Sequence, residues 1–192
     1  MLPWFVLLSG WIVYFFLHSW LAADRVKEFI QQQTGKGYRY YRLGYSILST
    51  IGLLAMLICN AWVKGNYLFQ PNGVSRYISL MLASFGVIII KLAFKNYSLR
   101  TFIGLTPEKE DALHREGILN RVRHPIYSGT ILIVIGYFLF TPNLATLVSC
   151  VCIFIYLAIG ITLEEKKLVK RFGDSYRDYQ KEVPMLISKL KW

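Results

Sequence analysis

An all-α, polytopic membrane protein is the fold class this sequence predicts, and three observations carry the prediction. Five apolar runs, each near the length of a spanning helix, are separated by polar connections. Hydrophobic residues make up 55% of the 192, and the mean hydropathy is +0.40, more apolar than an ordinary soluble domain. The basic residues gather on alternate connections instead of spreading along the chain.

The first span covers about residues 2–21. No Lys or Arg precedes it, so it lacks the positive start of a signal peptide and reads as a retained helix. His18 and Ser19 stand near its inner end. His18 is either an interfacial helix-end residue or a polar group turned into the bundle. A polar, basic stretch from Asp24 to Arg42 follows, with a turn signal at Thr34-Gly35-Lys36-Gly37. Tyr38, Tyr40, Tyr41 and Tyr45 suit an interfacial aromatic belt.

The second span covers about 43–63 and the third about 77–94. Between them, Pro71-Asn72-Gly73 marks a turn. Lys91, near the end of the third span, is placed to snorkel to the interface. The longest polar stretch runs from Lys95 to Arg123, with a helix start expected at Thr106-Pro107-Glu108. A connection this long in a compact protein is more often functional than passive. Pro125 opens the fourth span, about 125–140, and Thr141-Pro142-Asn143 turns the chain into the fifth, about 144–163. The tail from Glu164 is amphipathic, with Leu168, Phe172, Tyr176 and Tyr179 at three- and four-residue spacing. It reads as a helix lying on the membrane surface. The whole, residues 1–192, reads as one membrane domain.

Lys and Arg counts set the orientation. The first connection carries five, the stretch from Lys91 to Arg123 seven and the tail eight, against two (Lys64 and Arg76) on the opposite side. Basic residues stay in the cytoplasm, which puts the N-terminus outside and the C-terminus in the cytoplasm of a bacterial or archaeal inner membrane. The net charge of +11 is therefore read as membrane topology, not as a nucleic-acid footprint. Cys59, Cys150 and Cys152 all fall in apolar runs. They offer neither a disulfide framework nor metal-ligand spacing, and no metal site is expected.

The densest chemistry lies in Arg121-Val122-Arg123-His124-Pro125-Ile126-Tyr127-Ser128-Gly129 and in Glu164-Glu165-Lys166-Lys167-Leu168, continuing as Phe172-Gly173-Asp174-Ser175-Tyr176-Arg177-Asp178-Tyr179. An antiparallel hairpin of the fourth and fifth spans makes their ends neighbours. An imidazole, a phenol and two carboxylates then meet on one side of the membrane. The amide groups opening the fourth span attract anions, and Pro125 fits a first helical turn.

Taken in order, Arg-His-Pro-x-Tyr-x-Gly, Glu-Glu-x-x-Leu and Phe-Gly-x-x-Tyr-x-x-Tyr resemble the integral-membrane methyltransferases. That superfamily includes isoprenylcysteine carboxyl methyltransferases and phospholipid N-methyltransferases. The resemblance covers about residues 115–187, the cofactor-binding half. His18-Ser19 with Tyr41-Arg42-Leu43-Gly44-Tyr45 is more weakly similar to methanethiol S-methyltransferases and denitrification-associated relatives. The chain departs from the family pattern at its end, where Val183-Pro184-Met185-Leu186-Ile187 is followed by Ser188 instead of a second proline.

The resemblance implies S-adenosylmethionine as methyl donor, held by His124, Pro125, Tyr127, Gly129, Glu164, Glu165, Tyr176 and Tyr179. It implies a catalytic set of Arg123, Glu165 and Arg177, with Arg123 or Arg177 stabilising an anionic acceptor. His18, Tyr41 and Arg42 are the candidate acceptor-side residues. The acceptor is a small-molecule or lipid-like thiol or carboxylate, met among membrane lipids; oligomeric state is open. Two other readings stand beside this one: an NADPH-dependent membrane reductase of related architecture, and a non-enzymatic assembly factor. For Tyr127 and Gly129 packing is the competing account.

Overall fold

The computed structural model describes residues 4–63, 65–95 and 113–188. Its elements are helices: α1 (Trp4–Ala22), α2 (Asp24–Thr34), α3 (Tyr38–Trp62), α4 (Gly73–Ala93), α5 (Pro125–Phe140), α6 (Leu144–Phe172) and α7 (Asp174–Glu182). Two short 3-10 turns, Gly35–Gly37 and Gly117–Asn120, complete the set. The helix start expected at residues 106–108 lies outside the described residues.

Among the described residues, four helices are long and apolar enough to cross a membrane: Trp4–Ala22, Tyr40–Trp62, Gly73–Ala93 and Leu144–Phe172. The expected fourth span, Pro125–Phe140, is an apolar helix of 16 residues and falls below that length. The outward faces of the long helices are greasy. Phe16, Ile51, Phe85 and Ile155 are all more than half exposed. Such area in water would drive association, whereas hydrocarbon accommodates it.

Three boundaries differ from the sequence reading, each for a local reason. The first polar connection is mostly helix, because α2 begins with an acidic residue, Asp24, and has its apolar residues at helical spacing. It ends at Gly35, whose φ of +52° suits glycine. Next, α4 starts four residues earlier than its apolar run, because Asn72 and Ser75 form a reciprocal cap. Asn72 Oδ1 accepts from the Ser75 amide at 2.8 Å, and Ser75 Oγ accepts from the Asn72 amide at 3.0 Å. Finally, the fifth span and the start of the tail are one continuous 29-residue helix, α6. The break comes only at Gly173, where φ is +57°.

The described residues form two compact units. One holds residues 4–63, 65–68 and 143–152; the other holds 69–95, 113–142 and 153–188. In the first, a buried polar chain ties three helices together. Trp11 Nε1 donates to Ser149 Oγ at 2.8 Å, Ser149 Oγ donates to Asn60 Oδ1 at 2.8 Å, and Asn60 Nδ2 reaches Thr146 Oγ1 at 3.3 Å. Trp11, Thr146 and Ser149 have no exposed surface. Interhelical hydrogen bonds of this kind specify pairing where lipid removes the hydrophobic drive. Glycines do the close work beside it: the Tyr14 ring lies where a Cβ on Gly52 would be, 2.8 Å from its edge.

In the second unit, α4 and α5 pack along a line of small residues. A Cβ on Gly129 would sit 2.5 Å from the Gly86 carbonyl oxygen and 2.6 Å from Ile90 Cγ1. A Cβ on Gly136 would sit 2.6 Å from the Ser79 carbonyl oxygen. Backbone therefore touches backbone, and dispersion between closely approached helices is the main attraction available in lipid. Gly129→Ala should lower stability by about 1–3 kcal/mol through overpacking. Gly73→Ala, which meets nothing within 4 Å, should leave it unchanged. Thermal unfolding in detergent checks the pair, and an equal loss in both would remove the packing account of Gly129.

Candidate active site

The polar groups of the second unit converge on one carboxylate. Glu165 sits near the C-terminal end of α6, and its residue is 8% exposed. Arg123 meets it with two donors, Nε to Oε1 at 3.0 Å and Nη2 to Oε2 at 3.3 Å. His124 Nε2 lies 2.6 Å from Oε1. The Tyr176 hydroxyl donates to Oε1 at 2.8 Å, and Gln180 Nε2 donates to Oε2. A carboxylate offers about four lone-pair sites, so five donors saturate it. Only the ionised form accepts from all of them.

Each donor is delivered by a specific piece of chain. Arg123 and His124 precede α5, which starts at Pro125 because a first-turn proline gives up no helical bond. Their amides are not left bare: Arg123 N donates to Pro184 O at 3.0 Å and His124 N to Met185 O at 3.1 Å. Ser128 Oγ adds a bond to Leu186 O at 2.7 Å. Arg123 Nη1 is held by the carbonyls of Gln180 and Val183. Tyr176 and Gln180 are four residues apart on α7 and so share a face. Tyr176 also packs with Tyr179 and Val183, on the same side of the helix, against Leu168, Val169 and Phe172.

Burial, and the Glu165 carboxylate it donates to, hold the Tyr176 phenol well above its usual range. It is therefore a donor at any physiological pH. Tyr179 turns elsewhere, donating to Leu119 O at 2.6 Å beneath the Arg115 guanidinium, 5.2 Å from its ring centroid. Arg115 also reaches Ser175 O and pairs with Glu182 at 3.6 Å.

Glu164 is the accessible member of the carboxylate pair. Its side chain is 45% exposed, with Oε2 3.8 Å from His124 Nδ1, and it lies beside the Tyr127 hydroxyl. Tyr127 stands edge-on to the His124 ring at 5.5 Å. Gly160 on α6 makes room for it, since a Cβ there would be 3.2 Å from the Tyr127 hydroxyl. With Nε2–H donating to the Glu165 carboxylate, a neutral His124 carries its lone pair at Nδ1. Glu164 and the Tyr127 hydroxyl thus adjoin the buried His124 ring beside the start of α5.

The structure therefore brings together Arg123, His124, Glu165 and Tyr176, with Pro125, Tyr127 and Glu164 at their edge. Gly129 belongs to the α4–α5 contact. Arg177 is not brought to this cluster. Its side chain is 59% exposed and pairs with Asp174 at 2.7 Å, one turn away on α7. His18, Tyr41 and Arg42 belong to the first unit. There, Ser49 Oγ is 3.0 Å from His18 Nδ1, and Tyr45 OH lies 3.1 Å from its Nε2. Tyr41 OH donates to Leu21 O at 2.6 Å, and Arg42 O accepts from Ser46 Oγ at 3.0 Å.

Sequence reasoning missed Gln180, Ser128, Arg115 and the carbonyls of residues 183–186. Gln180 had a signal, its four-residue offset from Tyr176. The carbonyls had none, because a backbone acceptor looks the same in every sequence.

The described residues define an all-helical fold with four candidate membrane spans and a buried ion-pair centre joining an Arg-His-Pro segment to a Glu-Glu helix. The chain belongs to the NnrU protein family, whose model matches residues 6–189. It is similar to a methanethiol S-methyltransferase of Pseudomonas deceptionensis, 44% identical over 72 residues, which are 36% of this chain and 26% of that protein. A second methanethiol S-methyltransferase, from Pseudomonas sp. (strain GM41(2012)), is 33% identical over 57% of this chain and 41% of the relative. Protein-S-isoprenylcysteine O-methyltransferase of Schizosaccharomyces pombe is 38% identical over 40% of this chain and 33% of its own. The chain thus spans about a quarter to two-fifths of the length of these curated relatives. No solved structure matches it.

Removing one partner from a buried ionic cluster costs about 3–5 kcal/mol, because the remaining charges stay buried and unpaired. Glu165→Ala should show a loss of that size in detergent unfolding. Glu164→Gln, at a half-exposed position, should change stability by less than about 1 kcal/mol. Comparable losses in the two variants would mean that Glu165 is not the centre of the network.

Proposed function

We propose that this protein is a membrane methyltransferase using S-adenosylmethionine, with a small or lipid-like thiol or carboxylate as acceptor. The observation that carries the reading is the division of labour between adjacent carboxylates. Glu165 is saturated by protein donors, while Glu164, half-exposed beside the buried His124 Nδ1 and the Tyr127 hydroxyl, keeps capacity to accept from a ligand. The printed activities of the relatives, methyl transfer by methanethiol S-methyltransferases and by an isoprenylcysteine O-methyltransferase, support the same class.

The residues suit the donor's chemistry. Glu164 accepts hydrogen bonds, as the ammonium of its amino acid end requires. The amides of the first turn of α5 favour the companion carboxylate. Tyr127 offers a ring edge and a hydroxyl to the nucleoside. When bound, S-adenosylmethionine supplies a methyl group on a cationic sulfur. The protein contributes position and exclusion of water.

In this reading Arg123, Glu165 and Tyr176 are positioning residues, since they bind one another. Four of the five Arg123 N–H donors are engaged. Neither Glu165 nor Arg123 serves as a base, and the acceptor reacts as an anion already formed. Arg177, exposed on α7, remains the cation proposed for acceptor recognition, with His18, Tyr41 and Arg42 on the acceptor side. In the membrane, five crossings are proposed, with the 16-residue α5 as the short fourth. The N-terminus is outside and α7 lies on the cytoplasmic face, in keeping with the skew of Lys and Arg.

Equilibrium binding of S-adenosylmethionine to detergent-purified protein tests the proposal. Wild type should bind, and Glu164→Gln should bind about 10- to 100-fold more weakly, the size expected for a charge-assisted hydrogen bond, with unchanged thermal stability. Binding of NADPH in place of S-adenosylmethionine would favour a reductase. Failure of folded wild type to bind either would favour an assembly factor.

A further inference from the structure

The sequence Glu164-Glu165-Lys166-Lys167 looks like a mixed, solvated helix end, but in the structure Glu165 is withdrawn into the buried cluster and only Glu164 borders the bases, three residues before Lys167. Both acids turn toward the site, Glu165 into the buried cluster and Glu164 beside His124 and Tyr127. Leu168, Val169 and Phe172 pack against Tyr176, Tyr179 and Val183. The bases are left on the outer side. Lys166 and Lys170 are four residues apart, as are Lys167 and Arg171, so the four form one continuous helical face. All four are exposed.

The length of α6 fixes where that face lies. Its 29 residues extend roughly 43 Å at about 1.5 Å per residue, while the hydrocarbon core is about 30 Å thick. The stretch 144–163 carries no charge, and every charged residue of α6 lies between 164 and 172. A helix that crosses the membrane with its uncharged part must carry the remaining turns into the headgroup layer.

We infer that Lys166, Lys167, Lys170 and Arg171 form a docking face for anionic phospholipid headgroups, seating the C-terminal end of α6 on a negatively charged leaflet. This inference does not depend on the methyltransferase reading. It concerns the outer face of the helix, and its test uses no methyl donor. Near an anionic leaflet each basic residue is worth roughly fivefold in affinity.

The full chain is reconstituted in nanodiscs of phosphatidylcholine with increasing phosphatidylglycerol, and thermal unfolding is followed at low and high salt. Wild type should unfold at progressively higher temperature as phosphatidylglycerol rises, and salt should blunt the rise. Lys166→Gln/Lys167→Gln/Lys170→Gln/Arg171→Gln should keep the wild-type midpoint in pure phosphatidylcholine and lose most of the response. The milder Lys166→Gln/Lys170→Gln covers the event that the fourfold variant does not fold. It should lose about half the response, whereas Arg25→Gln/Lys27→Gln on α2, with the same charge removed, should lose less. Equal responses to the two lipids, or equal losses in the two double variants, would overturn the inference. So would an equal gain from inorganic phosphate in phosphatidylcholine discs, which would point to a free-anion site.

Discussion

A charge buried near the end of a membrane helix must be answered in full, and that requirement organises the second unit. Glu165 has little access to water where it sits, so the chain brings donors to it from two directions. Arg123 and His124 come from the segment before α5; Tyr176 and Gln180 come from α7. Residues 183–186 then lie across the Arg-His-Pro segment, satisfying its amides and the second arm of Arg123. The imidazole that results is fixed, with Nδ1 turned toward Glu164. In this way a structural ion pair sets the surroundings of the half-exposed carboxylate.

Much of this was legible in the sequence. Apolar runs of about 20 residues announce long apolar helices, and four appear as such among the described residues. The two segments flanking a hairpin have to be neighbours, which brought His124 and Glu165 together before any coordinates did. What was not legible has physical reasons. Sequence adjacency could not show that Glu164 and Glu165, about 100° apart on a helix, face different surroundings. Nor could it show that Arg177, between two buried tyrosines, points to the exposed side of α7. The continuity of α6 through residue 172 was hidden by the change from apolar to charged residues. Hydropathy changes there, but backbone propensity does not, since Leu, Glu and Lys all favour helix.

The glycines teach a related lesson. Gly129 occupies a position inside the Arg-His-Pro-x-Tyr-x-Gly motif, yet its nearest neighbours are the Gly86 carbonyl and Ile90. Gly160 has no part in that motif, yet it touches Tyr127. Motif membership and site membership are separate properties. The α4–α5 contact is as much a requirement for presenting His124 as the ion pair is, because α5 begins at the residue that follows it.

The Glu165 network also sets an order for biosynthesis. Its members are widely separated along the chain, with Arg123 42 residues before Glu165 and Gln180 15 residues after it. A ribosome delivers the N-terminal parts first. When Glu165 leaves the ribosome, Arg123 is already outside it, but Tyr176, Gln180 and the carbonyls of residues 183–186 are still inside. Until those last turns emerge, the nascent chain carries a half-answered charge at the membrane boundary. Completion of the unit is thus a late event, coupled to synthesis of the C-terminal segment. A chain halted before residue 176 would expose an unfinished polar centre to the machinery that removes misassembled membrane proteins.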